Sequence, residues 1–149
     1  MNTDLNQQLG TAAVLWDLRA LYPSTDAPEI QRDLDRCFAT ALELAAETVG
    51  RVAELDAVAL HRLIGQLEAI EALLARLETF SFLHFITQTG DAAASALQQQ
   101  VEELSARVGR LTVFFALEWN RIDAARIEEL LGQPVLGRYH HYLRTLRRF

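Results

Sequence analysis

Side chains able to act as a nucleophile, a general base or a metal ligand are few in this chain of 149 residues: four His, one Cys and twenty Asp and Glu. Zinc-dependent hydrolysis on a helix needs two His four residues apart, so that both rings leave one face, with a Glu beside the first. His61 and His84 each stand alone, and His140 and His141 are neighbours about 100° apart around a helix, which prevents chelation of one ion from regular positions. A di-iron bundle would need Glu three residues before His, and no His here has one. The nucleophile elbow G-x-S-x-G is absent, and GRVAEL and GRL lack the Lys and second Gly of a phosphate-binding loop. The residues therefore supply no catalytic, cofactor-binding or metal-binding set. His84, in the Phe-rich run TFSFLHFI, reads as a packed histidine.

The elements that would position any site are helical. From Asp91 to Ile122, Leu97, Val101, Leu104, Val108, Leu111, Phe115, Glu118 and Ile122 recur at steps of four and three, and all but Glu118 are apolar. One central rod of roughly 45 Å is expected, and it needs neighbours of similar length. Ile30, Leu34, Cys37 or Phe38, Ala41, Ala45 and Val49 mark a first long helix from about Ala27 to Val49, with cap formers Ser24 to Asp26 before it and Gly50 after it. Asp56 caps a second, whose stripe is Leu60, Leu63, Leu67, Ile70, Leu74 and Leu77. Asp91 caps the central helix, Asp123 caps a short one, and Pro134 opens a last helix striped by Leu136, Tyr139, Leu143 and Leu146. Before these, a short helix starting at Thr3 or Asp4 leads to LWDLRALYPS, where Asp17 is placed to cap a turn and Trp16, Leu18, Leu21 and Tyr22 are anchors. The expected fold is an all-α, antiparallel bundle of five or six helices, three of them long, in a single domain over 1–149.

Half the residues are hydrophobic and 23% are charged, which excludes a disordered chain. A net charge of -6 argues against a nucleic-acid partner, because phosphate contacts need a basic surface. All fourteen positive residues are Arg, and four lie between Arg138 and Phe149 with no acid among them. They suit either the dipole of the last helix or an acidic partner surface. Cys37 has no second Cys to pair with and sits on an apolar face, as a buried thiol would. The opening MNTDLNQQLG is polar where a secretory signal is apolar, and no uncharged run reaches membrane-spanning length, so a cytoplasmic protein without a membrane partner is expected.

Two stretches resemble a known family. LWDLRALYPS is similar to the Trp-Asp-Leu-x-x-Leu-Tyr entry of bacterial oligoendopeptidase F, and RYHHYLRTLRRF to the Arg-Tyr-x-His-Tyr-Leu-x-x-Leu-Arg-Arg run before that enzyme's catalytic part. The LDAVALHRL restart, the aromatic segment before TGD, LSARVGRLTVFFALEWNRID and LLGQPVLGRY also match that family's N-terminal helical region in order and spacing. Arg19 departs from the small polar residue common there. The family belongs with the thimet oligopeptidase-like zinc metallopeptidases, which hydrolyse short peptides in a channel between helical lobes. The resemblance implies a channel-wall domain whose zinc and His-Glu-x-x-His motif reside in a catalytic domain that this chain lacks. It places no catalytic residue here, makes that catalytic domain and oligopeptides the partners, and leaves the chain inactive by itself. The alternative is a freestanding helical interaction or dimerisation module. In either case TFSFLHFI and the stripe of Tyr139, Tyr142, Leu143, Leu146 and Phe149 are expected to lack cover. A homodimer through them, with Arg144 and Arg148 at the rim, would bury them.

Overall fold

A computed structural model describes residues 17–88 and 90–147. The expected helix from Thr3 or Asp4, and the roles given to Trp16, Arg148 and Phe149, lie outside the described residues. Among those described there is no strand, and the regular structure is α1 (Pro28–Thr48), α2 (Ala57–Thr87), α3 (Ala92–Thr112), α4 (Phe114–Arg121), α5 (Ala124–Leu131) and α6 (His140–Leu146). Short 3₁₀ turns at Leu18–Ala20, Val52–Glu54 and Pro134–Tyr139 join them. No helix among the described residues is long and apolar enough to cross a membrane.

The expected caps account for where the helices start. Asp56, Asp91 and Asp123 each accept a hydrogen bond from a first-turn amide, those of Ala59, Ala93 and Ala125. Replacing any one of the three by Ala is expected to cost about 1 kcal/mol, or roughly 2–4 °C of thermal midpoint in a domain of this size, measurable by circular dichroism. Gly50, at φ 81°, takes the left-handed conformation that ends α1 and is the described residue for which glycine is required.

Helices α1, α2 and α3 pack on one another in all three pairings. The Cys37 thiol meets the Ile70 carbonyl while Asp33 meets Arg76, so α1 and α2 run antiparallel. Gln100 bonds Gln31 and Arg107 lies over the Phe38 ring at a constant register, so α1 and α3 run parallel. Between them Leu34, Cys37, Ala41, Leu60, Ile64, Leu74, Leu77, Val101 and Val108 form the buried core. Burial of each large aliphatic side chain contributes roughly 1.5–3 kcal/mol.

Asp91 to Ile122, expected as a single helix, is interrupted at one residue. It divides at Val113 into α3 and α4, so the six segments count as five rods if this pair is taken as one. Val113 keeps right-handed helical dihedrals, its amide donates to the Gly109 carbonyl and its carbonyl accepts from Leu117, so the helical path carries through the division. The stripe runs through this division, since Val108, Phe115 and Ile122 are all buried.

Entry and exit segments are locked to this core. The Tyr22 hydroxyl donates to Asp33 at 2.7 Å, its ring meets Phe80 edge-on at 5.2 Å, and Arg76 lies 4.4 Å above it while bonding the Leu21 carbonyl. At the other end the 3₁₀ turn from Pro134 folds back on α2, burying Leu136 and Tyr139. The last stretch is thus a 3₁₀ turn followed by a seven-residue α-helix, where one helix from Pro134 was expected. A run such as PVLGRY, with Gly137 in it, favours the tighter turn over a regular α-helix.

Candidate functional site

The reactive side chains are occupied by packing. His84 stacks on Phe80 with ring centroids 5.6 Å apart, and the His61 ring lies 5.3 Å from that of Tyr139. His140 Nε2 accepts from Arg144, while His141 is exposed. No group of three or more His, Cys, Asp or Glu among the described residues is arranged to hold a metal ion. Cys37 is fully buried, and burial, followed by Glu71, pushes its thiol up to about 11. It should therefore resist alkylation at pH 8 in the folded protein and react at once in denaturant. Rapid labelling of the native chain would show that the α1–α2 seam opens.

Glu118 is the residue whose role the sequence marked without explaining. Its carboxylate accepts from the backbone amides of Gly50 at 2.6 Å and Val52 at 3.1 Å. A single side chain on α4 thereby closes the connection between α1 and α2, and a polar residue in an otherwise apolar stripe was the signal for it.

The C-terminal arginines find partners within the chain. Arg144 grips Glu128 with two bonds of 3.1 and 2.9 Å, Arg138 approaches Glu68 at 3.5 Å, and Arg147 donates to the Ile122 carbonyl at 3.0 Å. An acidic partner is thus not needed to account for these three.

The expectation that both late apolar surfaces are bare needs correction. Tyr139 and Leu143 are buried: the turn from Pro134 packs on α2, where the Tyr139 hydroxyl reaches Glu68, and Leu143 lies beside α5 with its carbonyl accepting from Trp119 Nε1 at 3.0 Å. Phe80 is buried as well, whereas Phe82 and Ile86, one turn apart on the outer side of α2, stay about half exposed. Tyr142 also remains 45% exposed.

Tyr142 walls a surface groove of about 620 Å³ between α2 and the C-terminal elements. Ile64, Leu67 and Ala72 form its floor, with Glu68, Glu71 and Arg138 at its edges. The Tyr139 hydroxyl donates to Glu68 at 2.7 Å, which raises that phenol's pKa, and burial followed by Glu71 and Glu68 raises that of Tyr142. Both phenols are thus neutral donors at ordinary pH. The chemistry on offer is apolar contact beside carboxylates, which suits recognition and provides no activated nucleophile. Tyr142 had read only as a widening of the last stripe, because sequence spacing does not show that α2 lies opposite it.

No family model, curated protein or solved structure matches this chain.

Proposed function

We propose that the chain is the N-terminal helical lobe of an oligoendopeptidase F-like zinc metalloendopeptidase, forming part of the wall of a channel that admits short peptides. Zinc and its ligands belong, on this reading, to the remainder of the enzyme. The observation that carries it is how the two family-like end motifs are used. In LWDLRALYPS, Asp17 caps the first turn and Tyr22 is almost wholly buried against α1 and α2. In RYHHYLRTLRRF, Tyr139 and Leu143 are buried and Arg147 donates to the Ile122 carbonyl. Tyr22, Tyr139, Leu143 and Arg147, all shared with the family, thus fasten the first and last described segments to the bundle. This is the demand a lobe would place on them.

A freestanding helical interaction module is the second reading, favoured by the uncovered outer side of α2 around Phe82 and Ile86. Reading the coding frame past Phe149 separates the two. The lobe predicts a frame that continues to His-Glu-x-x-His with a further Glu downstream; a stop codon at this point overturns it in favour of the module.

A further inference from the structure

The groove beside Tyr142 is lined on α2 as far as Ala72, and the helix itself continues to Thr87. Residues on the same side of α2 recur at helical spacing as Glu68, Glu71, Ala75, Glu78, Phe82 and Ile86, all exposed, over roughly 27 Å of helix. Ala75 leaves a low point between the tyrosine wall and the knobs of Phe82 and Ile86, so a second helix can approach to the usual 8–10 Å spacing. The acids give the face its sign. Glu68 is shared by Tyr139 and a largely exposed Arg138, whereas neither Glu71 nor Glu78 pairs with a cation among the described residues.

We infer that the outer face of α2 from Glu68 to Ile86 docks an amphipathic helix that carries Arg or Lys beside its apolar stripe. The inference deepens the lobe reading and rests on it for the source of that helix, which is the remainder of the enzyme. The chemistry of the helix follows from this face alone. A second copy of the chain is disfavoured as the occupant, since pairing two such faces sets carboxylates against carboxylates on chains of net charge -6. A cation-bearing helix places its apolar residues against Phe82, Ile86 and Tyr142 and its charges against Glu71 and Glu78.

The test is selection of a displayed library of amphipathic helical peptides, about 18 residues long, against the 149-residue chain. Enriched peptides should carry Arg or Lys flanking apolar positions at helical spacing. Their binding should fall about tenfold or more in Phe82→Asp and Ile86→Asp, and persist in Leu42→Asp and Leu117→Asp, which alter exposed apolar residues on α1 and α4. Glu71→Arg with Glu78→Arg should turn the preference toward acid-flanked peptides. All six substituted positions are exposed, and circular dichroism verifies the fold of each variant. Enrichment of acidic or uncharged flanks, loss of binding in the Leu42 and Leu117 variants instead, no enrichment, or self-association through this face in ultracentrifugation would overturn the inference. The reading frame tests the source of the helix separately, so failure of the lobe and failure of the docking face are distinguishable.

Discussion

Trp119→Ala should be the most damaging single truncation in this chain, with an expected loss of about 3–5 kcal/mol. Trp119 is fully buried, stacks near Phe115 with centroids 6.3 Å apart, and donates from its indole nitrogen to the Leu143 carbonyl at 3.0 Å. That carbonyl lies in the last turn of α6, where intrahelical partners run out. Next to it, the Asn120 side chain donates to the Leu146 carbonyl at 3.1 Å. Removing the indole therefore opens a cavity in the core and unpairs the end of the chain in one step. Trp119→Phe separates the two effects, since it keeps much of the ring but leaves the carbonyl unpaired, at about 1–3 kcal/mol. Urea unfolding gives both values. Equal stability of the Ala variant and the parent would mean that α6 is not held through α4.

Glu118→Ala should follow, with a loss of about 1.5–3 kcal/mol, from the two backbone amides that share its carboxylate. Gly50 sits at positive φ, which fixes the direction of its amide toward Glu118. Glu118→Gln offers one oxygen in place of two and turns an amide group toward a donor, so it should recover only part of the loss. Hydrogen exchange provides a local readout, as the Gly50 and Val52 amides should exchange much faster in both variants while those of α3 hardly change. Unchanged protection at Gly50 and Val52 would mean that the α1–α2 connection closes without Glu118.

How these residues came to be seen divides along physical lines. Asp56, Asp91 and Asp123 were legible as caps because a short acid before an apolar period is a local signal, and the structure places each on a first-turn amide. The stripes were legible for the same reason. Tyr139 and Leu143 were misjudged as bare because their cover comes from α2, α5 and Trp119, through a fold-back at Pro134 that leaves no mark on periodicity. The interruption at Val113 is a single residue that keeps helical dihedrals, and periodicity carries no mark of it. Glu118 lay between these cases: its place in the stripe announced an internal partner, but Gly50 and Val52, 68 and 66 residues away, could be found only in three dimensions. The groove at Tyr142 was hidden for the same reason. A face on α2 and a turn near the chain end meet through tertiary packing alone.

The lobe reading is tested most directly by a peptidase assay on the full product of the reading frame that contains these residues, with the 149-residue chain alongside. The substrate is a quenched fluorescent oligopeptide, followed with and without a zinc chelator. The full product should cleave it and the chelator should abolish cleavage, while the chain by itself carries no stoichiometric zinc and leaves the peptide intact. Chelator-sensitive cleavage by the 149-residue chain, or none by the full product, would contradict the account.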